Sequence, residues 1–498
     1  MTNKLKKVLV ANRGEIAVRV LRACREEGIP TVAVYSDADR NALHVRMADE
    51  AVRIGPPPAA ESYLRADRIL QAAQETGCDS VHPGYGFLSE NGDFADECEA
   101  AGFAFIGPTG EAMREMGNKV RARARMKAAG VPVAPGSEGA VSDPDELERI
   151  AQDIGLPVML KASAGGGGKG IRIVHDLRQL QSAFEMACSE AEKSFKSGEV
   201  YLEKYLERPR HIEVQVLADN AGNTIHLGER ECSIQRRHQK VVEETPSSAV
   251  NAELRARMGE AAVRAAKEVG YRNAGTVEFL FDQAGKFYFL EMNTRLQVEH
   301  PITEQVTGID IVRAQLRIAA GGGLPATQEQ VTHRGHAIEV RICAEDPHNN
   351  FLPSVGPIKL LDLPGGSRVR VDAGLYEGME VSVFYDPMLA KLIVCGNDRE
   401  EAIARMLRAL REFHVVGVRT NIGFLVRILE TDEFRSGEYD TSFIERHSVQ
   451  LLAPPVDGEA LDVALLAVTL AHKLRTLKTV QRDGCSSQEE RISAWRLG

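Results

Sequence analysis

The amino-acid sequence predicts a multidomain chain of mixed α/β and α+β class ending in a helical tail, and three observations carry that prediction. Strand and helix signals alternate through the first hundred or so residues, a run of glycines then interrupts a strand pair, and strand-rich segments of antiparallel character follow. A chain of 498 residues exceeds one hydrophobic core, so about three domains are expected before the tail. With 43% apolar and 27% charged residues, the composition is that of a soluble globular protein rather than a disordered one. The 61 basic and 71 acidic residues leave a net charge of −10, which provides no overall basic field for nucleic acid or an anionic membrane. Anionic ligands must therefore be held by local positive clusters. The 8 cysteines show no CxxC spacing, which argues for reduced thiols in a cytoplasmic setting and against a zinc site. The N-terminal VLVA is too short for a signal peptide, and the longest apolar run, near Val463 to Ala471, is about half the length that spans a bilayer.

Taken in order, KVLVANRGEIAVRVLRACREEGI and TVAVYSDAD read as strand, turn at Gly14, amphipathic helix and strand, the pattern of a parallel sheet. The turn Asn12-Arg13-Gly14-Glu15 lacks GxGxxG, so a dinucleotide site there is not expected. Further βα material runs through HPGYGFLSE and closes a first domain at residues 1–118. A basic helix from Gly117 leads into a second domain, residues 119–325, with a lid at about 132–204. Within it, LPVMLKASAGGGGKGIRIV places Lys161 at a strand end before the glycines 165–168, Lys169 and Gly170, and a second strand follows. Gly165, Gly167 and Gly170 satisfy GxGxxG, but a dinucleotide fingerprint must open a helix, and this loop opens a strand. What remains is a hairpin tip whose backbone N–H groups can fold over phosphates, beside Lys161 and Lys169. A linking strand is expected through Glu203 and Leu206 to His211, and ERECSIQRRHQKVVEETP then gathers Arg236, Arg237, His238 and Lys240 into five positions. After the break at Gly321–Pro325, a third domain of antiparallel strands and a helix from Asp398 to Phe413 spans 326–447, and HAIEVRICAED puts Glu339 and Arg341 on one strand face. Residues 448–498 form a linker and a helical tail near Glu459 to Leu474, with the only tryptophan at Trp495.

The densest chemistry lies in TVEFLF and KFYFLEMNTRLQVEH, read as a hairpin around Asp282–Gly285. Glu278 then falls opposite Glu291, and such paired side chains stand about 5 Å apart at Cβ, where like charges repel unless a cation lies between them. Asn293 shares the face of Glu291, which gives three oxygen ligands suited to Mg²⁺ or Mn²⁺ shared with phosphates. Read singly, other residues stay ambiguous. Lys119 is equally a solvated cation, Arg341 a surface ion pair, Tyr85 a packing aromatic and Glu90 a solvated acid, while Glu229, Glu231, Glu243 and Glu244 allow a plain salt-bridged strand around the basic cluster. Cys232 is read as a small buried thiol rather than a nucleophile.

Seven motifs in order, ANRGEIAVRV, HPGYGFLSEN, KASAGGGGKG, ECSIQRRHQKVVEE, EMNTRLQVEHP, EVRICAEDP and YDPMLAKLIV, resemble the biotin carboxylases of the ATP-grasp superfamily over residues 4–447. The resemblance implies an N-terminal Rossmann-like domain, a central ATP-grasp domain with a mobile glycine-rich lid and a C-terminal α+β domain. It implies that ATP, bicarbonate and carrier-linked biotin become ADP, phosphate and carboxybiotin through carboxyphosphate. Glu278, Glu291 and Asn293 would hold two Mg²⁺ or Mn²⁺ ions. ATP would be held by Lys119, Lys161, Gly167 and Gly168, with adenine read along Glu203, Lys204, Tyr205 and Leu206, His211 near the ribose and His238 lining the nucleotide site. Lys240, Arg295, Gln297 and Val298 would surround bicarbonate, Glu299 would be the general base, and Arg341, with Tyr85, would face biotin.

The same resemblance implies a homodimer that works with a biotin carboxyl carrier protein or domain and with carboxyltransferase subunits. The only Met-Lys pair, Met126-Lys127, sits in a helix, so biotin is expected on another chain or on a domain missing from this one. Two departures from the family pattern are Asn118, where an aspartate commonly stands, and Ala164, where a glycine often does. Bicarbonate must attack an already anionic phosphate, a barrier that metal ions and fixed cations lower, and a carboxylate base helps only if its surroundings raise its basicity. An ATP-grasp ligase acting on another carboxylate, and a nucleotide-binding module without turnover, are the competing readings.

Overall fold

The first hundred or so residues build a parallel sheet because short strands with buried apolar residues alternate with helices. Val8–Val10 is buried throughout, and the helix Gly14–Glu26 covers it with Ile16, Val20 and Leu21. The sheet has five strands in the order Glu50–Gly55, Thr31–Ser36, Val8–Val10, Ser80–His82 and Ala104–Phe105, all parallel. This computed structural model describes residues 5–141, 143–162, 171–195, 198–453, 470 and 473.

Next come two short helices, Gly110–Gly117 and Lys119–Ala128. Asn118 caps the second by accepting the Arg121 amide at 2.9 Å, so asparagine at this position fulfils the capping role of an aspartate. The antiparallel hairpin Val158–Ala162 and Ile171–Val174 joins Val200–Lys204 in a three-stranded sheet, packed beneath the helices Pro144–Ile154 and Leu180–Phe195 through Leu147, Leu160, Phe184 and Leu202. The glycine-rich tip, with Ala164, Gly167, Gly168 and Lys169, lies outside the described residues.

An eight-stranded antiparallel sheet forms the centre of the molecule. Its order is Phe287–Asn293, Asn273–Phe281, Arg210–Ala218, Thr224–Arg236, Gln239–Thr245, His336–Cys343, Met388–Gly396 and Val369–Ala373. The sheet runs without interruption past the Gly321–Pro325 break, because Val242 pairs with Val340 and Glu243 with Glu339. Two expectations change here. The linking strand from Glu203 to His211 is two strands in different sheets, Val200–Lys204 and Arg210–Ala218, broken where Arg208 takes a positive φ of 49° before Pro209. The basic cluster is not one strand either: Arg237 and His238, with φ of 51° and 64°, form the two-residue turn of a hairpin whose flanking pair is Arg236 and Gln239.

Residues Met1–Leu451 form one compact unit and Leu452–Gly498 another. Most of the expected tail helix, and Trp495, lie outside the described residues. Among the described residues no helix is long and apolar enough to cross a membrane.

Glu244 ties the central sheet to the C-terminal helices. Its buried carboxylate accepts from Arg399 at 2.8 and 3.0 Å, contacts the His336 ring at 2.6 Å and receives the Tyr439 hydroxyl. Burial pushes its pKa up, but His336 and Arg399 win and hold it at about 2. A folded-state value below the unfolded one contributes stability above about pH 4.5 that is lost as pH falls toward 2, here on the order of 3 kcal/mol. Urea unfolding of the protein and of Glu244→Gln should therefore differ most near pH 6 and converge only as pH falls to about 2.

Candidate active site

The hairpin Asn273–Phe281 and Phe287–Asn293 brings Glu278 opposite Glu291, around a turn in which the Asp282 side chain accepts the Ala284 and Lys286 amides. Neighbouring strands supply the rest of the floor. His211 and Glu213 project from Arg210–Ala218, Arg230 from Thr224–Arg236, Lys240 and Glu243 from Gln239–Thr245, and Arg341 from His336–Cys343. Along Arg210–Ala218 polar residues alternate with apolar ones, so one face of that strand carries Ile212, Val214 and Val216 into the core and the other carries His211, Glu213 and Gln215.

Lys240 is the hub. Its Nζ donates to Glu278 at 2.8 Å, to Glu299 at 2.6 Å and to Glu213, with only 11% of the side chain exposed. Burial lowers the lysine pKa, but three carboxylates raise it well above its ordinary value. Glu278 also receives Asn293 and Gln297 amide groups, each at 2.8 Å, and lies 2.9 Å from His211 Nε2. Despite burial, Lys240 and His211 hold Glu278 well below the usual carboxylate range, and against the same burial Glu278 raises His211. Arg341 spans Glu243 at 2.7 Å and Glu299 at 3.0 Å. Arg230 is fully buried and donates to Glu213, Gln215 at 2.8 Å, Thr303 at 3.0 Å, Thr276 at 3.2 Å and Gln297 at 2.8 Å. Within this knot the acids Glu213, Glu243, Glu278 and Glu299 face the bases Lys240, Arg230, Arg341 and His211. Fixed charges of both signs at hydrogen-bond range stabilise one another where solvent is excluded.

Toward the open side, Lys119 stands 3.6 Å from Glu291, and Lys161 and Arg123 bind Glu203 at 2.6 and 3.1 Å. Arg295 binds Glu90 at 3.0 Å and Asn293 at 3.1 Å. The Lys204 and Tyr205 amides donate to Pro135 and Pro157, and the Lys204 side chain reaches the Leu156 carbonyl at 2.8 Å. His238 is exposed on its turn. Lys119, Lys161, Arg123, Glu203 to Leu206, His238, Glu291, Arg295, Gln297, Val298 and Arg341 line one cavity of about 1450 Å³. Tyr85 is not among the residues lining that cavity; it is half-buried, donates its hydroxyl to Glu15 and lies within reach of the Arg341 charge. Gly167 and Gly168 lie outside the described residues.

The structure removes one alternative reading and refines two others. Glu229, Glu231, Glu243 and Glu244 do not neutralise the Arg236–Lys240 cluster; they bind Arg255, Arg210, Arg341 and Arg399, while Arg236 pairs with Glu345. Glu203 pairs its carboxylate with Lys161 and Arg123 at the edge of the cavity. Glu299 is not made more basic: burial would raise its pKa, but Lys240, Arg341 and Arg230 lower it far below the usual range. Cys232 is buried, and burial pushes its thiol well above its ordinary value, so it is no thiolate.

The two carboxylates of the Glu278–Glu291 pair suit a hard divalent ion; Asn293 turns its Nδ2 to Glu278 and its Oδ1 to Arg295, so it would offer oxygen to such an ion only after its amide rotates. Two further ligand-like groups, His211–Glu213–Glu278 and Glu213–Cys232–Glu299, are bridged by Lys240 and Arg230.

The sequence profile of the biotin carboxylase N-terminal domain matches residues 4–113, that of the carbamoyl-phosphate synthase L chain ATP-binding domain residues 118–327, and that of the biotin carboxylase C-terminal domain residues 339–446. Biotin carboxylase 1 of Bacillus subtilis is 54% identical over 446 residues, covering 89% of this chain and 99% of the relative. The chain belongs to the biotin carboxylase family. The biotin carboxylase of a Nostoc species, another relative, is 55% identical over 442 residues, covering 89% of this chain and 99% of the relative. The biotin carboxylase domain dimer of Hydrogenobacter thermophilus 2-oxoglutarate carboxylase, solved with MgADP, ADP and bicarbonate, superposes with a TM-score of 0.85 at 50% identity, over 91% of this chain and 100% of that one.

Two members of this biotin carboxylase site escaped the sequence reading, Glu213 and Arg230. The signal for Glu213 was present, because His211, Glu213 and Gln215 recur at every second position of an otherwise apolar strand. Arg230 carries no comparable mark, since its partners lie 15 to 73 residues away.

Proposed function

We propose that this chain carboxylates biotin with bicarbonate at the expense of ATP, and that the observation carrying this reading is the charge-balanced knot around Lys240 at the floor of a nucleotide-sized cavity. The roles follow from charge and reach. Lys119 and Lys161 bind phosphates, with the tip at Gly167 and Gly168 over them; Glu203 to Leu206 reads adenine, and His211 and His238 flank the nucleotide. Glu278, Glu291 and Asn293 would hold two divalent ions, which would draw charge from the phosphate oxygens.

Bicarbonate lies between Lys240 and Arg295, beside Gln297 and Val298. Its negative charge competes with Glu299 for Lys240, so the Glu299 carboxylate, a weak base in the knot of ion pairs, regains proton affinity when the anions are in place. It then takes the bicarbonate proton as a bicarbonate oxygen attacks the γ-phosphorus, the bond to the β,γ-bridging oxygen breaks and ADP leaves, giving carboxyphosphate. Carboxyphosphate breaks down to CO₂ and phosphate, the phosphate takes the ureido N–H proton of biotin, and the ureido nitrogen attacks CO₂. Arg341, released in the same way from Glu299, faces the ureido oxygen as it gains negative charge, and Tyr85 faces biotin with it. A carrier protein or domain presents the biotin, carboxyltransferase subunits receive the product, and the working state is a cytoplasmic homodimer. Support for the dimer comes from the Hydrogenobacter thermophilus domain, which was solved as one.

The test is direct. ADP release should require MgATP, bicarbonate and free biotin together. Turnover that ignores biotin but responds to an amino acid or acyl substrate would replace this reading with a different ligase.

A further inference from the structure

Lys391 is fully buried in the strand Met388–Gly396, directly across from Arg341 on one side and Asp372 on the other. Its Nζ donates to the Val298 carbonyl at 2.8 Å, with Glu15 at 3.4 Å and Asp372 at 3.9 Å. Glu15 lies in the first turn of the helix Gly14–Glu26 and accepts the Tyr85 hydroxyl. Gly374 packs closely on that helix start: an added Cβ there would come within 3.1 to 3.2 Å of the Gly14 and Glu15 backbone. Segments from three parts of the chain therefore meet at one buried nitrogen.

The turn it grips is Gln297–Val298–Glu299. His300 Nδ1 lies 2.7 Å from the Gln297 carbonyl, so two successive carbonyls of the turn are held on the buried side. A trans peptide places N–H opposite C=O, which turns the Val298 and Glu299 amides toward the cavity that both residues line. We propose that Lys391 is a positioning residue for the anion: by fixing the Val298 carbonyl it sets the direction of the neighbouring N–H groups and of the Glu299 side chain. This inference rests on the bicarbonate role assigned above.

Lys391→Met keeps the bulk and removes the donor. The KM for bicarbonate should rise about tenfold or more, in line with the loss of one charge-assisted hydrogen bond, while the KM for MgATP stays within about twofold. A folded variant in which both constants are unchanged, or in which both rise together, would overturn the proposal. If Lys391→Met does not fold, Glu15→Gln loosens the same nitrogen and should raise the bicarbonate KM alone, and a flat response there would overturn it equally. Hydrogen–deuterium exchange of residues 296–300 needs no turnover. Faster exchange there, with the strand His336–Cys343 unchanged, supports the positioning role, and unchanged exchange in the turn contradicts it. Absence of biotin-dependent turnover in the unaltered protein would strike the assigned reaction instead, leaving exchange to decide the role of Lys391.

Discussion

Glu299→Gln should lower bicarbonate-dependent ADP release by about 10²- to 10⁴-fold, the range a positioned general base supplies, while the Kd for MgATP stays unchanged. Both halves follow from where Glu299 sits. Its oxygens engage Lys240 and Arg341, on the bicarbonate and biotin side of the knot, whereas the groups assigned to ATP phosphates, Lys119 and Lys161, pair with Glu291 and Glu203. Glutamine preserves the shape and one acceptor but cannot take a proton. Isothermal titration with a nonhydrolysable ATP analogue, beside steady-state kinetics, separates binding from turnover. Equal kcat in the two proteins would remove Glu299 from the chemistry.

Lys240→Met is the larger perturbation. It should abolish detectable turnover and destabilise the protein by about 3 to 5 kcal/mol at pH 8, because it leaves buried carboxylates without their common counter-charge. Glu213, Glu278 and Glu299 all depend on that ammonium, and the pKa of Glu213 is already raised by burial with the lysine in place. Without it the folded-state pKa values of all three rise. A carboxyl whose folded pKa exceeds its unfolded value contributes stability at low pH and loses it as pH climbs through the folded value, so the deficit should be greatest at pH 8 and shrink toward pH 5.5. Urea midpoints at the two pH values measure this. A deficit independent of pH would mean that the three acids do not share the ammonium's charge.

The parts of this site visible in sequence were the local ones. The Glu278–Glu291 pair follows from a hairpin closed within a few residues, and the Val158–Ala162 and Ile171–Val174 strands from the glycines between them. Long-range pairing was hidden. Nothing in HAIEVRICAED announces that Glu339 will lie beside Glu243, or that one sheet will run through an apparent domain break, because strand partners almost a hundred residues apart leave no periodic trace. The Arg237–His238 turn escaped notice because it achieves two positive φ values without the glycine or asparagine that usually mark such a hairpin. The electrostatic state of Glu299 was also beyond the sequence. Burial alone argues for a raised pKa, and only the positions of Lys240, Arg341 and Arg230 reverse the sign.

The central claim is that this arrangement brings bicarbonate, not water, onto the γ-phosphate. Bicarbonate labelled with ¹⁸O tests it most directly: attack by its oxygen, followed by breakdown of carboxyphosphate, should leave one labelled oxygen in each phosphate released during biotin-dependent turnover. Phosphate carrying no label would show that water attacks ATP, and would contradict the account.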